Sequence, residues 1–550
     1  MPDDEGTAAP HSVSLHVDGT PQLVPAATPA ATPAGTRASD AEEASEPVPQ
    51  ERVWSEEEEA QGPQAPDVNE AYRRLAELMR TMNLTSEQIQ RVTPCHRVLS
   101  CFGRPLWSRV PRDRFHLSKP AARIPQFISH SWHGSAWNKV TMLFVLKVGL
   151  PAVLVGSLFA LVMVSCSIFD LLPGYARQPL IEPDRTYTFG PWGICAGILT
   201  ASVVLLVCEP RGKVFVDKIC IHQTDPRLKF EGVLNICAFL KNSDSMLVLW
   251  DATYVERLWC VFELAAYMKS REDRGQMKLS IRPTILGPSS IASCLGLFAM
   301  QLSQTAVPWA NRLHGFFIWS SICWVGLFSA VYVWRSYYRQ IDNMKVQLQH
   351  FSIRNTKANC CERGHVGRNG RSIHCDKDTI AECIRHWFGS VEEFEKNVRS
   401  HVAVALTQGL GNLVFPYHYL LAAGAPSLWG QADFIASRLR EQEFYYAGVT
   451  AIFGLAYWLA AIPFIFACGG LLNYKLRHRY HPCVDAVMPF FVTAFLVLVP
   501  GGGLYFLQAG LLSVLDDMLA AVVWAAVTAG LAMLAWRACW REPMLRLSDA

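Results

Sequence analysis

The sequence predicts an α-helical polytopic membrane protein of about eight spans. Its cytosolic face should carry an α/β domain with a parallel sheet, split in two by the first membrane hairpin. Three observations predict this: apolar segments long enough to cross a bilayer, uneven placement of Lys and Arg between loops, and alternating strand and helix patterns between residues 124 and 285. Composition agrees, since 51% of the 550 residues are hydrophobic and 18% are charged, against about 25% charged in soluble domains. A simple soluble enzyme and a secreted, disulfide-stapled mini-domain are excluded.

Residues 1–66 carry 13 acidic and 2 basic side chains, including Glu56–Glu59, in a Pro/Ala-rich setting. Such a segment buries too little apolar surface to fold, so a disordered tail is expected, either merely solvated or an acidic docking segment. The first thirty residues lack a charged n-region and an apolar h-region, so the first span is expected to act as an uncleaved anchor. Residues 67–123 read as a helical cytosolic segment. Asp67–Met82 places Ala71, Leu75, Leu78, Met79 and Met82 on one helical face, and a second short helix is expected from Thr85 or Ser86 with Glu87 and Gln88 in its first turn. These helices pack on the cytosolic domain or lie on the membrane surface.

A hydrocarbon core about 30 Å thick needs about 20 apolar helical residues. Leu143–Cys166, Phe189–Cys208, Leu313–Trp334, Tyr446–Leu472, Val484–Leu507 and Met518–Trp536 meet that requirement. Ile291–Trp309, with Gln301, Gln304 and Pro308, and Val402–Gly424, with Gln408, Asn412 and His418, are weaker; each spans or forms a buried or re-entrant helix. Spans pair into hairpins at 143–208 and 289–334 and a four-span bundle at 402–536, followed by a cytosolic tail, 537–550. With both termini cytosolic, the inner segments after the acidic tail hold 42 Lys and Arg and the outer loops 5, as the positive-inside bias requires. None of the 17 cysteines falls in an outer loop, as expected of a reduced chain. The basic clusters are accounted for by topology and give no argument for nucleic acid. Gly501–Gly503, after Pro500 inside a span, reads as a kink.

The cytosolic α/β domain comprises 124–139 and 209–288. Ile124–Trp132 reads as a strand ending in polar residues, Lys213–Asp217 as a second, Pro226–Asn242 as a helix, Met246–Trp250 as a strand buried on both faces, Val255–Met268 as a helix and Leu279–Ile285 as a last strand. Ligands of parallel sheets bind beyond the carboxyl ends of the strands. That edge gathers Ser129, His130, Ser131, Trp132, Asp217, Asp251 and the helix start with Trp259, Cys260 and Glu263.

Four blocks in this order carry a resemblance: Phe127-Ile-Ser-His-Ser-Trp132, Val214-Phe-Val-Asp217, Leu240-Lys-Asn-Ser-Asp-Ser-Met-Leu-Val-Leu-Trp250 and Tyr254-Val-Glu-Arg-Leu-Trp-Cys-Val-Phe-Glu-Leu264. They resemble TIR domains, whose sheet is flavodoxin-like and whose Trp-Cys-x-x-Glu helix follows the third strand. The whole chain also resembles an expanded, uncharacterised group of multi-pass membrane proteins of dinoflagellate algae, in which Asp217-Lys-Ile-Cys-Ile-His-Gln-Thr-Asp225 and Leu258–Leu264 recur. The TIR resemblance implies one of two roles. In a signalling or interaction protein, the domain would bind other TIR-like domains or itself. In an NAD glycohydrolase, Glu263 would stabilise the oxocarbenium-like ribose left when nicotinamide departs. NAD would then be a substrate, with Trp132 as stacking face and Asp217 on a hydroxyl, and Ser129, Asp251 and Trp259 nearby. Equally, Glu263 is a polar residue of an ordinary helix start and Trp259 and Cys260 are core. A transporter or channel is the third reading, with Gln408 and His418 as its only candidate polar groups within spans.

Residues 335–401 form a second cytosolic module with Cys360, Cys361, His365, His374, Cys375 and Cys383. Cys361-x3-His365 suits a helical turn and thiolate with imidazole suits zinc. No Cys-x2-Cys pair occurs, and Arg363, Arg368 and Arg371 oppose a cation, so free thiols are the other reading. Asp376–Trp387 reads as a helix, and Ser390 as the cap of another with Glu393 three residues on.

Overall fold

The computed structural model describes residues 76–541 except 108–112, 178–185, 273–276, 307–311, 363, 367–374, 403 and 405–416. The acidic segment 1–66, Ala71, Leu75, His374, Gln408 and Asn412 lie outside this set. The chain is mostly helical, with a small parallel sheet.

Among the described residues, four helices are long and apolar enough to cross a membrane: Ala136–Ile168, Phe444–Lys475, Pro482–Val514 and Asp517–Cys539. The described residues therefore show four such helices and not the eight spans expected. Trp192–Val207 is apolar but only 16 residues long, about 24 Å at 1.5 Å per residue, because Phe189 belongs to a short strand and Pro191 precedes the helix. Leu313–Trp334 falls within Arg312–Gln349, a 38-residue helix whose later half, with Tyr337, Ile341, Met344 and Leu348, runs into the core that holds the sheet. Ile291–Trp309 falls in Leu286–Ala306 and in residues outside the described set, as does most of Val402–Gly424. Leu286–Ala306 and Arg312–Gln349 approach closely at Gly296 and Gly326, where an added Cβ on Gly296 would stand 2.8 Å from the Gly326 carbonyl oxygen. Pro500 lies in a π-helical turn, Val497–Gly501, within Pro482–Val514, the kind of ladder break that a proline's missing N–H produces.

The sheet has a parallel ladder of Phe127–His130, Met246–Trp250 and Leu279–Pro283, with Met246–Trp250 in the middle. Every residue of that central strand is buried, which explains its unbroken apolar run. On the far side of Phe127–His130, Phe215 makes a parallel bridge to Phe127; its N–H donates to Gln126 at 2.9 Å and its carbonyl accepts from Ile128 at 3.0 Å. In order of sequence the segments thus lie 2-1-3-4, as in doubly wound sheets. Lys213–Val214 itself pairs antiparallel with Arg91–Pro94, and Asp217 begins a short helix, Asp217–Cys220, so the expected second strand is shorter than read.

Helices cover the sheet with small departures from expectation. Pro226–Asn242 divides into Pro226–Leu234 and Ile236–Lys241 at Asn235, whose buried side chain holds Thr85: its Oδ1 accepts from the Thr85 N–H and its Nδ2 donates to Thr85 Oγ1, both at 2.8 Å. The following helix is Leu258–Arg271. The helix expected from Thr85 or Ser86 is a single 3-10 turn, Glu87–Ile89, capped by Ser86 and followed by strand Arg91–Pro94; β-branched Val92 and Thr93 followed by Pro94 favour extended backbone. Met79 and Met82 are buried in the soluble core while Leu78 is exposed. The 76–82 segment thus packs on the domain, where the Arg80 carbonyl accepts from the Trp387 indole at 3.1 Å. Asp376–Phe388 is helical as read, and the Ser390 hydroxyl caps Val391–Asn397 by accepting from the Glu393 N–H at 3.0 Å.

Candidate functional site

The strand ends gather most of the polar residues that the sequence singles out. Ser129, in Phe127–His130, donates to Glu263 Oε2 at 2.5 Å and shares a hydrogen bond with the Tyr254 hydroxyl at 2.7 Å. Glu263 is 7% exposed and projects from Leu258–Arg271, which crosses behind the strand. Burial, with the charge of Asp217 added, pushes its carboxyl well above the usual range. Burial also raises Tyr254 well above a normal phenol. Glu263, Ser129 and Tyr254 therefore form a closed, buried hydrogen-bonded group whose surroundings favour the protonated carboxyl.

A second polar group lies beside it. The Trp132 indole donates to Asp217 Oδ2 at 2.5 Å, and the Lys218 ammonium stands 4.8 Å from the Trp132 ring centroid. Desolvation raises the Asp217 carboxyl despite the indole hydrogen bond and lowers Lys218 to about 8 despite the nearby Asp217 charge. His130 Nδ1 is 3.9 Å from Asp217 Oδ1, and buried His130 Nε2 has no hydrogen-bond partner. Burial and the Lys139 and Lys218 charges hold this imidazole neutral.

Asp251 closes the edge. Thr253 donates to Asp251 Oδ1 at 2.5 Å and meets Ser131 Oγ at 2.7 Å, and Lys139 pairs with Asp251 Oδ2 at 3.8 Å. Lys139 also donates to the Ser131 carbonyl and, at 2.9 Å, to that of Gly134. Gly134 is required by this close approach: a Cβ there would fall 1.7 Å from Asp251 Oδ2. Ser135 caps Ala136–Phe144 and so sets Lys139 over the strand end. Gln347, near the end of Arg312–Gln349, donates to the Ala252 carbonyl at 2.6 Å and covers the same loop. Trp259 lies apart from this group, beside Asp376 of the second module.

The residues that sequence reasoning did not single out are Tyr254, Lys139 and Lys218, although Tyr254 and Lys218 stand within the blocks that carry the resemblance. Asp433 was missed too. Its carboxylate accepts from the Gly193 and Ile194 N–H groups at 2.6 and 2.9 Å, capping Trp192–Val207 from another helix; an acid followed by Phe434 and Ile435 gives no capping signal for a helix so distant in sequence. His418 is exposed, its ring tilted 37° against that of Tyr419.

In the second module the ligand atoms of Cys360, Cys361, His365 and Cys375 all lie within 4.8 Å of one another and could hold a metal ion. Asn359–Glu362 is one helical turn that presents the two adjacent cysteines, and left-handed Gly364 and His365 (φ 62° and 59°) turn the chain so that the imidazole faces them. Burial pushes the Cys360 thiol up to about 12. The described cysteines are free thiols. No family model matches this chain, and neither a curated protein nor a solved structure is recognisably similar to it.

Proposed function

We propose that this protein is a membrane-anchored signalling or interaction protein. Its sheet domain, TIR-like in the order of its blocks, faces the cytosol with both termini and binds a second such domain or a copy of itself. The observation that carries this reading is the burial of Glu263 in its bond to Ser129. A neutral carboxyl already satisfied by a hydroxyl and hidden from solvent lacks the exposed negative charge that stabilises an oxocarbenium-like ribose. The loops at the strand ends are held to each other by Lys139, Asp251 and Thr253, which favours a fixed surface over a substrate cleft. Four long apolar helices support membrane association.

A second reading, NAD glycohydrolysis, is favoured by one observation: Trp132, Asp217, Lys218 and His130 converge beside Glu263. The purified full-length protein, incubated with NAD, distinguishes the two. The interaction reading expects no nicotinamide above a blank, and concentration-dependent self-association or heterotypic capture of TIR-like domains by the same preparation. Nicotinamide release that Glu263→Ala abolishes would replace it with the enzyme reading. Transport finds less support, since Asp433 is occupied as a helix cap and Asp485 is paired with Arg335 and Arg339 at 2.8 and 2.9 Å.

A further inference from the structure

We propose that Cys360, Cys361, His365 and Cys375 form a structural Zn²⁺ site that fastens the second cytosolic module to the helix carrying Glu263. Tetrahedral zinc with Zn–S bonds of about 2.3 Å sets its sulfurs about 3.8 Å apart. The Cys360–Cys361 and Cys361–Cys375 sulfurs stand 3.9 and 3.6 Å apart. That is far beyond the roughly 2.05 Å of a disulfide and near the separation that one shared cation imposes. A second observation points to a ligand independently of the thiols. His365 Nε2 is buried and has no hydrogen-bond partner, a costly arrangement for an imidazole unless a cation takes its lone pair.

The surroundings suit thiolate ligands. The Asp376 N–H donates to Cys360 Sγ at 3.4 Å, the kind of backbone contact that orients a metal-bound sulfur. Cys375 is the N-cap residue of Asp376–Phe388, so the positive end of a 13-residue helix faces the cluster. Lys377, the second residue of that helix, supplies a positive charge near Cys361, against the net single negative charge of zinc with three thiolates and one imidazole. The sequence offered Arg363, Arg368 and Arg371 as opposing charges; they lie outside the described residues, and the four ligand atoms converge without them.

The site sits where two parts of the chain join. Just before it, Lys357 makes a parallel bridge with Arg257, and the Leu258 N–H donates to the Lys357 carbonyl at 3.2 Å. Arg257 also pairs with Glu362 at 3.3 Å, next to Cys361. Just after it, Asp376–Phe388 stacks Trp387 on Phe262 at 5.6 Å. One ion holding Cys360, Cys361 and His365 on one side and Cys375 on the other would fix both contacts to Leu258–Arg271 at once. A closed, four-ligand set of this kind leaves no open position for catalysis, so its role is structural.

The test is the metal content of the full-length protein, purified in detergent after expression with zinc and passed through chelator-treated buffer. About one zinc per chain is expected, and exchange with cobalt(II) should give a tetrahedral spectrum with thiolate-to-metal charge transfer. His365→Ala and Cys375→Ser should lower retained zinc at least about tenfold, whereas His365→Cys, which preserves four ligands, should keep it. The cobalt spectrum of the unmodified chain decides independently of any folding cost of Cys375→Ser. Unmodified protein with less than about a tenth of a zinc per chain and no charge-transfer band would overturn the proposal, as would undiminished zinc in both ligand-removing variants.

Discussion

Phe215 stacks on Phe127 with ring centroids 4.7 Å apart and planes 14° from parallel, although the apolar helices Ala136–Ile168 and Trp192–Val207 lie between them in sequence. Both side chains are buried, and the Phe239 ring tilts against Phe215 at 5.2 Å. The stack marks the seam where the two parts of the soluble domain meet. Phe127→Ala or Phe215→Ala removes a fully buried ring, which costs about 3–5 kcal/mol. Thermal unfolding of the detergent-solubilised protein, followed by a reporter in the soluble domain, should show a large drop for either variant. A shift no larger than that of a surface substitution would place these rings outside the core.

Glu263 sets a pH dependence. Its folded carboxyl is raised well above the ordinary value of 4.5 by burial and by Asp217. Below that ordinary value both folded and unfolded chains hold the proton. As pH rises above it, the unfolded chain ionises first, so stability falls until the folded carboxyl also titrates. Glu263→Gln keeps an acceptor and a donor for Ser129 and has no such titration. The stability difference between the two proteins, measured by denaturant titration from pH 4 to pH 8, should move in favour of Glu263→Gln as pH rises. A pH-independent difference would show that Glu263 ionises normally and is open to solvent.

The lock between the strand-end loops is testable as a coupling. Gly134→Ala forces a methyl against the Asp251 carboxylate and should destabilise by about 1–3 kcal/mol. Asp251→Ala removes the obstacle but also the partner of Lys139. In the double variant the clash is gone, so the two costs should fall short of their sum by about 0.5–3 kcal/mol. Strict additivity would mean that the two loops do not touch.

Asp433 makes a prediction inside the apolar region. Asp433→Ala leaves the Gly193 and Ile194 N–H groups without their cap and should cost about 1–2 kcal/mol, while Asp433→Asn, with one acceptor oxygen left, should cost less. Gly193→Ala should also destabilise, because its Cβ would lie 2.7 Å from Asp433 Oδ1. The midpoint of thermal aggregation in one detergent ranks the three variants. Equal midpoints for Asp433→Ala and the unmodified protein would remove the cap.

These contacts show where sequence periodicity carried and where it failed. Met246–Trp250 was legible because a strand buried on both faces must be apolar throughout. The strand-end residues Ser129, Asp217 and Asp251 were legible because polar residues at the ends of such runs have few other places to go. Lys213–Asp217 was only half legible: its pattern gave a strand, but not that Lys213 and Val214 pair with Arg91–Pro94 while Phe215 pairs with Phe127. The break at Asn235 was hidden because the Thr85 that its side chain holds is 150 residues away. The span count failed at Phe189–Cys208, where hydropathy cannot tell a short apolar helix from a full crossing. Cys360, Cys361, His365 and Cys375 were legible as candidate zinc ligands by residue type, but the helical turn read for Cys361-x3-His365 is replaced by the left-handed turn at Gly364 and His365.

The account stands on one sheet being assembled from both sides of the first hairpin, and amide hydrogen exchange at Phe215 tests that most directly. In the full-length protein in detergent, the Phe215 amide, donated to the Gln126 carbonyl, should exchange as slowly as those of Phe127 and Val248, and Phe127→Ala should speed all three together. Exchange at Phe215 as fast as in an open loop, while Val248 stays protected, would contradict it.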